Sequence, residues 1–401
     1  MARVLWFHPR QLTPPRGGGD HRTLGLIRGV LGAGHEVLLV RPDQGLVDSD
    51  VPDGLATVDL EVRHGLDNLR AKAISRDPLR SPRPTRQSLL RARVSIAEFA
   101  PDLSVVSEVM TWPLAGRLLP PGGPWVYDSQ NVEHELFRSH LSNATSLVDR
   151  LTFLVDWRRV VRAERILVGR SNAVLAVSEA DAAGLHQVGS VAPPVVVPSS
   201  MTAPAKASDP ASADPTALFV GTLDFPPNVE AVDAIIDEVM PRVLAEVEQA
   251  RLLVVGRSPS PATRRRLGEH RWIEFREDVP SIADAYADAR CVLMPFSSGS
   301  GTKLKLYEAL AFGMPVVATP RGVAGVDVRP DVDVLVRSDW DGFAQSVVEV
   351  LDDPTVARDL GIEARQAFDS RLSWAVASYP SLLAVLNRLV AEHRPPVRRE
   401  G

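Results

Sequence analysis

The residues of this chain that are best suited to chemistry lie close together in the sequence SSGSGTKLKLYEAL, residues 297–310. Here Lys303, Lys305 and Glu308 directly follow a loop of serine and glycine. Backbone N–H groups in such a loop and at a helix start bind anions, and two ammonium groups strengthen that site. A carboxylate one helical turn further on can accept hydrogen bonds from ribose or sugar hydroxyls. The pattern predicts a site for a ligand that carries phosphate.

Lysine is scarce in this chain, which makes the pair informative. Only Lys72 and Lys206 accompany Lys303 and Lys305 among 45 basic residues. Two lysines within one helical turn therefore fit ligand binding better than general surface charge. The alternative is a solvent-exposed helix on which Lys305 and Glu308 form an ordinary i, i+3 ion pair, worth about 0.2–0.5 kcal/mol.

The elements that must position these residues follow from the apolar pattern around them. Residues 291–295 form a short apolar run that suits a buried strand, and residues 302–312 place leucines and alanines on one helix face. Gly313 is expected to end that helix, and residues 315–319 resume as a strand. Strand, loop, helix and strand in this order predict a parallel sheet.

The same alternation of strands and helices runs along both halves of the chain. It predicts an α/β fold class with two doubly wound parallel sheets. The other predicted strands cover residues 4–7, 35–40, 103–106, 125–127, 173–177, 217–220, 250–255 and 332–336, and the other predicted helices cover residues 22–31, 147–168, 229–245, 339–351, 354–370 and 374–390.

The length of 401 residues exceeds one ordinary domain, so two are expected. Residues 198–215, PSSMTAPAKASDPASADP, are rich in proline, alanine and serine without an apolar period, which is typical of a linker. We therefore expect a first domain at residues 1–200, a linker at 201–215 and a second domain at 216–373. A C-terminal helix at about 374–392 could pack back on the first domain.

The composition excludes several classes of protein. A formal net charge of −5 argues against a nucleic-acid partner. No run of about 18 apolar residues is present to span a membrane, and the opening MARVLWFHPRQL turns polar too early for a signal peptide. A cytoplasmic protein is therefore expected. Cys291, the only cysteine, excludes an internal disulfide and a cysteine-based metal cluster.

One local segment departs from this charge balance. From Arg70 to Arg93 the chain has eight basic residues, one acidic residue and three prolines. This segment suggests peripheral contact with the inner face of a membrane, or with a phosphorylated acceptor. The alternative is a solvated loop and helix face in an arginine-rich chain.

Seven motifs follow one another along most of the chain. They are RGGGDHRTLGLIRGVLGAGHEVLLV at residues 16–40, VYDSQNVEHEL at 126–136, AVLAVSEAD at 173–181, VGTLDFPPNVEAV at 220–232, LLVVGR at 252–257, EFREDVPSIADAYADARCVLMP at 274–295 and GSGTKLKLYEALAFGMPVVAT at 299–319. In this order they resemble the motifs of the family 4 glycosyltransferases. That resemblance implies the GT-B architecture, in which two Rossmann-like domains face each other across a cleft that holds the active site.

The resemblance implies a donor site for a nucleotide diphosphate sugar, with no metal and no other cofactor. Lys303 and Lys305 would neutralise the leaving diphosphate, and Glu308 would hold the ribose. No paired carboxylates or histidine set typical of metal ligands stands out in the sequence. The other residues implied in donor binding are Gly17, Gly18, Gly19, Gly221, Thr222, Arg257, Asp278, Val279, Ser300, Gly301 and Thr302.

An acceptor side is expected on the first domain. Asp20 and His21 follow the glycine loop, and Asp128 and Asn131 follow a predicted strand, where open α/β sheets bind ligands. For Asp20 the alternative is the N-cap of the helix that begins there.

The chain departs from the family's pattern at two positions that contact the sugar. Gln130 stands where relatives often have a histidine, and Ser300 stands where many have a second glutamate. His134 could recover a sugar contact, or it could be a surface or capping group. The catalytic set implied is therefore Lys303, Lys305, Glu308, Gln130 and His134.

Three functions fit this reading. The leading one is a retaining glycosyltransferase that uses a nucleotide diphosphate sugar, with uridine as the expected base. Its acceptor would be a sugar, a lipid-linked molecule or a small molecule. The second is a catalytically silent nucleotide-sugar binder or activator subunit, and the third is a nucleotide-sugar 2-epimerase.

Overall fold

The computed structural model describes residues 1–12, 17–43, 45, 51–62, 84–142, 146–298 and 303–393. The chain divides into two compact units. One consists of Met1–Ser199 together with Ala377–Gly401, and the other is Ser200–Val376. Each unit is built around its own parallel sheet.

The first unit contains a seven-stranded sheet in the order β3-β2-β1-β4-β5-β6-β7. Every neighbouring pair of its strands is parallel. Because β1 lies between β2 and β4, the strand order reverses there, and the carboxyl ends of β1 and β4 border a crevice of the kind that binds ligands. The strands are β1 Arg3–Phe7, β2 Glu36–Pro42, β3 Leu55–Leu60, β4 Leu103–Ser107, β5 Trp125–Asp128, β6 Ala173–Ala176 and β7 Val195–Val196.

Helices cover the faces of this sheet. Side-chain oxygens of Thr85, Ser146 and Ser178 cap three of them, because each accepts a backbone N–H of the first turn. The helices are α1 Gly18–Gly32, α2 Arg86–Phe99, α3 Trp112–Leu118, α4 Glu133–Ser142, α5 Leu147–Arg170 and α6 Glu179–Gly189.

The second unit contains a six-stranded sheet in the order β10-β9-β8-β11-β12-β13. Its switch point lies between β8 and β11. The strands are β8 Thr216–Thr222, β9 Arg251–Arg257, β10 Ile273–Glu277, β11 Cys291–Met294, β12 Val316–Ala318 and β13 Leu335–Val336. The helices are α7 Pro226–Ala234, α8 Met240–Glu246, α9 Pro261–Leu267, α10 Ala283–Ala287, α11 Leu304–Ala311, α12 Pro320–Val323, α13 Trp340–Asp352 and α14 Pro354–Ala367.

The helix predicted at residues 229–245 contains Pro241. In the structure a π-helical turn, Ile235–Val239, separates α7 from α8, and Pro241 stands just after it. A proline inside an α-helix lacks an N–H donor and clashes with the carbonyl four residues earlier. The wider turn accommodates both effects, so the two helical segments stay continuous.

The C-terminal helix α15, Tyr379–His393, belongs to the first unit. It packs against α1, where Tyr379 Oη donates a hydrogen bond to the carbonyl of Gly25 at 3.2 Å. A Cβ atom at Gly29 would lie 2.3 Å from the Tyr379 ring, so glycine is needed for this close approach. The stretch Pro354–His393 is long and apolar enough to cross a membrane by composition. Leu382, Leu386 and Leu389 on α15 are buried, however, as in a domain core.

Residues 201–215, predicted as a linker, lie on the second unit. The backbone N–H of Ser208 donates to the carbonyl of Phe312 at 2.8 Å. Pro210 is buried, and a Cβ atom at Gly361 would lie 3.0 Å from its ring. Pro210 therefore fills space beside α14 of the second unit.

Candidate active site

Lys305 lies at the carboxyl edge of the second sheet, on the first turn of α11. Its Nζ donates a hydrogen bond to Asn228 Oδ1 at 2.6 Å. The same ammonium lies 5.2 Å from the ring centroids of both Phe219 and Phe296, close enough for cation–π attraction. The ammonium is thus held by one neutral oxygen and two aromatic faces.

Gly221, near the end of β8, makes room for that ammonium. A Cβ atom there would lie 2.7 Å from Lys305 Nζ and 3.0 Å from Asn228 Cγ. Asn228 Nδ2 in turn donates to the carbonyl of Thr222 at 2.7 Å. The end of β8 and the start of α7 therefore fix the position of a lysine that lies far along the chain.

Burial sets the electrostatics of this lysine. Desolvation lowers the pKa of Lys305 to about 7, with Glu308 opposing the shift and Lys303 adding to it. Burial, followed by repulsion from Arg321, also lowers the pKa of Lys303. Both ammonium groups lie near the Phe296 ring, Lys303 at 5.7 Å from its centroid. An anion bound between them would raise both pKa values, because an opposite charge stabilises the protonated form.

Glu308 lies one turn further along α11 and is held from the side. Tyr286 Oη donates to Glu308 Oε2 at 3.1 Å, and the Tyr286 ring stacks on Phe312 with centroids 4.2 Å apart. Burial raises the pKa of Glu308, while Tyr286 and Lys305 lower it. Lys305 and Glu308 are thus half-buried groups with separate partners, and the alternative of an exposed ion pair is wrong.

The other residues of the second unit that were predicted to bind the donor lie at neighbouring strand ends, where the structure describes them. Arg257 ends β9 and is exposed. Asp278 follows β10 with a φ of +49° and donates its N–H to the carbonyl of Gly256 at 3.0 Å. Val279 packs half-buried against the core. Ser300, Gly301 and Thr302 lie outside the described residues.

The first unit has a second polar cluster at the carboxyl ends of β1 and β4. Arg10 donates from Nε to Asp20 Oδ1 at 2.5 Å and from its two terminal nitrogens to Glu108 at 2.8 and 2.5 Å. His8 Nε2 lies 3.2 Å from the same Asp20 oxygen. His8 and Asp20 are fully buried, so Arg10 carries the accessible part of this cluster.

Sequence reasoning missed Arg10 and Glu108. A usable signal existed, since both follow predicted strands that meet at one edge of a parallel sheet. Glu108 also adopts a φ of +63°, a backbone conformation that is uncommon outside glycine and recurs at functional sites.

Within the described ranges, one group of His, Cys, Asp and Glu side chains has donor atoms close enough to share a metal ion. These are His8, Asp20 and Glu108, with atoms within 4.8 Å of one another. The guanidinium of Arg10 already bonds both carboxylates and supplies the positive charge. The arrangement is that of an ion-paired cluster.

Gln130 joins this cluster to the start of α1. Its Nε2 donates to the carbonyl of Gly19 at 3.1 Å and to Thr23 Oγ1 at 3.2 Å. A Cβ atom at Gly19 would lie 2.1 Å from Gln130 Oε1 and 2.5 Å from Glu108 Oε1. The glycine loop thus passes close to Gln130, and Gly17 and Gly18 form the N-cap and first residue of α1.

Asp20 and His21 differ in their surroundings. Gly17 is the N-cap of α1, so the alternative that Asp20 caps this helix is wrong. The Asp20 carboxylate is instead buried against Arg10 and His8. His21 is half-buried, and burial lowers its pKa.

The prediction of Asp128 as an acceptor contact is contradicted by its burial. Its Oδ1 accepts two hydrogen bonds from Arg22, at 3.0 and 2.8 Å, and its Oδ2 accepts one from Ser107 at 3.1 Å. Arg22 is 1% exposed and Asp128 is 0% exposed. An ion pair enclosed in this way leaves no carboxylate oxygen for a ligand, so Asp128 is structural.

His134 stands at the start of α4 beside a buried carboxylate. Its Nδ1 lies 2.6 Å from Glu164 Oε2, and the hydrogen bond raises the pKa of His134. Glu164 Oε1 also accepts the backbone N–H of Glu133 at 2.9 Å. Glu164 therefore holds the helix start and the His134 ring together.

Glu133, in the first turn of α4, is half-buried. Asn131 Nδ2 donates to its Oε1 at 3.3 Å. Burial raises the pKa of Glu133 to about 7, and the nearby carboxylates of Glu108 and Glu164 add to that shift. Asn131 and Glu133 thus extend the polar cluster of the first unit.

With two units, each built around a parallel sheet with polar side chains at its carboxyl edge, this chain has the architecture of the GT-B class of α/β proteins. A family model described as "Glycosyl transferase 4-like domain" matches residues 17–199, and one described as "Glycosyl transferases group 1" matches residues 214–353. The chain belongs to the family 4 glycosyltransferases, as its motifs predicted.

Among known proteins, the chain is similar to a GDP-mannose-dependent monoacylated alpha-(1-6)-phosphatidylinositol monomannoside mannosyltransferase of Corynebacterium glutamicum. The two are 30% identical over 148 residues, which cover 34% of this chain and 39% of that protein. The similarity thus spans well under half of the relative's length.

Solved structures show the same fold over nearly the whole chain. A sucrose-phosphate synthase from Thermosynechococcus elongatus superposes with a TM-score of 0.68 and 17% identity, covering 98% of this chain and 99% of that one. Anabaena HepE in complex with UDP and glucose superposes with a TM-score of 0.60 and 13% identity, covering 98% and 100%. The predicted fold class of two Rossmann-like parallel-sheet domains is confirmed.

Proposed function

We propose that this protein is a retaining glycosyltransferase that moves a sugar from a nucleotide diphosphate sugar to an acceptor hydroxyl in glycan, glycolipid or glycosylated natural-product biosynthesis. The observation that carries the proposal is the enclosed ammonium of Lys305 at the end of β8, beside Lys303 and one turn before Glu308. Two half-buried basic groups with lowered pKa values favour the binding of a ligand with high negative charge.

Lys303 and Lys305 would stabilise the negative charge that develops on the leaving diphosphate, the kind of interaction that contributes most in such sites. The bond between the sugar C1 and the phosphate oxygen breaks while the bond from C1 to the acceptor oxygen forms on the same face. The acceptor proton passes to the leaving phosphate oxygen. The chain then has to position reactants and supply charge, and it needs neither a carboxylate nucleophile nor a metal ion.

For the donor base we propose uridine, with guanosine as the second candidate. HepE, which shares the fold, is bound to UDP and glucose. The corynebacterial relative is dependent on GDP-mannose. The residues at the end of β10, Asp278 and Val279, are the proposed contacts of the base.

A calorimetric screen of uridine, guanosine, thymidine and adenosine diphosphate sugars at pH 7, with and without EDTA, tests this function. We expect one donor to bind, with the same affinity in EDTA. Binding that disappears in EDTA would contradict the metal-free site, and a folded protein that binds none of the four would contradict the donor site itself.

Glu308→Gln is expected to lower kcat/KM by at least about tenfold, because the neutral amide is a weaker acceptor for a ribose hydroxyl than a carboxylate. Tyr286 can still donate to the amide oxygen, so the melting temperature should change by no more than about 2 °C. Steady-state kinetics and thermal unfolding measure the two effects.

The exposed Glu246, at the end of α8, supplies a matched control. Glu246→Gln should leave both quantities unchanged. If Glu308→Gln melts as early as a core variant while its folded fraction keeps full activity, Glu308 is a structural residue.

A silent nucleotide-sugar binder is the second candidate function. It is favoured by the amide of Gln130, which is engaged with the Gly19 carbonyl and with Thr23. Slow donor hydrolysis without acceptor would support the transferase. Tight nucleotide binding without turnover on a broad acceptor panel would support the binder.

For location we propose the cytoplasm, with peripheral contact at the inner face of a membrane. The segment from Arg70 to Arg83 lies outside the described residues, but Arg86, Arg91 and Arg93 are exposed on α2. Leu90 is 53% exposed and Val94 is 58% exposed on the same helix. Arginines interleaved with exposed apolar groups suit an anionic lipid surface.

Leu90→Ser combined with Val94→Ser is expected to reduce sedimentation with phosphatidylglycerol vesicles by about threefold or more, because two apolar side chains no longer insert. Vesicles of phosphatidylcholine alone are the control and should bind neither form. Equal binding of both forms to the anionic vesicles would exclude α2 as the contact.

A further inference from the structure

The Asn228 side chain is held in one orientation. It is 5% exposed and stands near the start of α7. Its Nδ2 donates to the Thr222 carbonyl at 2.7 Å, and its Oδ1 accepts from Lys305 Nζ at 2.6 Å. A carbonyl can only accept and an ammonium can only donate, so reversing the amide would break both bonds.

The space around this contact is closely filled. A Cβ atom at Gly221 would approach both Lys305 Nζ and Asn228 Cγ to 3.0 Å or less. The Glu308 carboxylate, the nearest acid on α11, is engaged by Tyr286. In the described part of the chain, the hydrogen bond of Lys305 therefore goes to a neutral oxygen.

A neutral partner has a specific consequence for anion binding. A carboxylate in place of the amide would attract the ammonium more strongly and repel a diphosphate. An amide oxygen orients the ammonium and leaves its charge uncompensated. The amide thus suits a lysine that must bind an incoming anion.

We propose that Asn228 is a positioning residue for the donor, which holds Lys305 Nζ at the end of β8 so that the ammonium meets the diphosphate of the nucleotide sugar. This inference rests on the proposed function, in which Lys305 binds that diphosphate. The inference adds Asn228 as a residue that contacts and orients Lys305. The family motifs did not imply Asn228 as a donor contact.

The pH dependence of binding reports on this contact. Lys305 is faced by Asn228 from α7 and by Lys303 and Glu308 from its own helix, while Arg321 faces Lys303 and Tyr286 faces Glu308. Burial holds the pKa of Lys305 near 7 in the donor-free protein. Since only the charged form binds a diphosphate, affinity should fall as pH rises through about 7.

Two substitutions should move this pH profile in opposite directions. Asn228→Ala removes the acceptor that favours the charged lysine, so affinity should be lost at lower pH and be about tenfold weaker at pH 8. Asn228→Asp places a carboxylate beside the ammonium, so the loss should move to higher pH by about one pH unit or more. At pH 6 the same carboxylate should weaken binding, because it competes with the diphosphate.

The experiment is calorimetric titration of the full chain with UDP and with GDP from pH 6 to pH 9, in the wild type and in both Asn228 variants. Lys305→Ala is included to test the diphosphate site itself. Asn172→Ala is the matched control, because Asn172 also bonds a backbone group, the Trp125 N–H at 3.0 Å, in the other unit. Its affinity and pH profile should equal those of the wild type.

The outcomes separate the inference from the proposed function. Opposite shifts of the two Asn228 variants support the inference. Wild-type profiles in both variants, together with lost binding in Lys305→Ala, overturn the inference and leave the donor site intact. A wild type that binds neither nucleotide, or a Lys305→Ala variant that binds both normally, overturns the proposed donor site. If Asn228→Ala melts near the assay temperature, Asn228→Asp decides: a folded Asn228→Asp variant whose pH profile equals that of the wild type would show that the side chain at this position does not act on Lys305, and would overturn the inference.

Discussion

Replacing Lys303 and Lys305 together by alanine is expected to weaken nucleoside diphosphate binding by at least about tenfold, which corresponds to about 1.4 kcal/mol. The two ammonium groups lie beside the Phe296 ring in a half-buried site, where charge is poorly screened by water. Isothermal calorimetry at pH 6 gives the affinity with Lys305 charged in the wild type. Lys206→Ala is the matched control, since Lys206 is exposed and is the other lysine that the structure describes.

Removing the Lys305 ammonium should weaken binding but stabilise the folded protein. The pKa of Lys305, about 7, lies below the ordinary value of 10.5, so its charge destabilises the folded protein at low pH. That cost is fully present below pH 7 and disappears as pH rises toward 10.5. Lys305→Met should therefore raise the free energy of unfolding at pH 6 by about 1 kcal/mol or more while lowering affinity. If the variant with both Lys303→Ala and Lys305→Ala binds nucleoside diphosphate as tightly as the wild type, the proposed donor site is excluded.

Asp128→Asn is expected to destabilise the first unit by about 3–5 kcal/mol, because it leaves the buried Arg22 guanidinium without a counter-charge. Arginine cannot lose its proton at accessible pH, so the cost cannot be avoided by neutralisation. The substitution preserves shape and removes only charge. Urea unfolding combined with hydrogen exchange in α1 and β5 measures the loss in the correct unit.

The exposed Asp53, also in the first unit, supplies the control for this prediction. Asp53→Asn should change the free energy of unfolding by less than about 0.5 kcal/mol. If Asp128→Asn is as stable as that control and loses transfer to acceptor, Asp128 contacts the acceptor and its ion pair with Arg22 is dispensable.

The local pattern of the sequence was sufficient to predict most of the secondary structure around Lys303, Lys305 and Glu308. The strand predicted at residues 291–295 is Cys291–Met294, and the helix predicted at 302–312 is Leu304–Ala311. Gly313, the predicted stop, has a φ of +71°, which favours glycine. Apolar period, helix punctuation and glycine geometry are properties of neighbouring residues, so they can be read without the fold.

Two strands were missed, because the prediction depended on the apolar pattern and theirs is weak. The edge strands Leu55–Leu60 and Ile273–Glu277 were not predicted, because several of their side chains are exposed or charged. An edge strand pairs on one side only, and its pattern resembles that of a loop.

The sequence alone determined the family, the two α/β domains and the Lys303, Lys305 and Glu308 group, because these depend on residue types at short, regular spacing. Tertiary structure decided which groups act on one another. Asn228 lies 77 residues before Lys305, Glu108 lies 98 residues after Arg10, and Asp128 lies 106 residues after Arg22. The first two contacts form where the carboxyl ends of neighbouring but non-consecutive strands meet, β8 with β11 and β1 with β4, and the third joins α1 to the end of β5. Burial at the first of these contacts also lowers the pKa of Lys305. Spacing along the chain carries no signal for such pairs, and only the folded sheets bring them together.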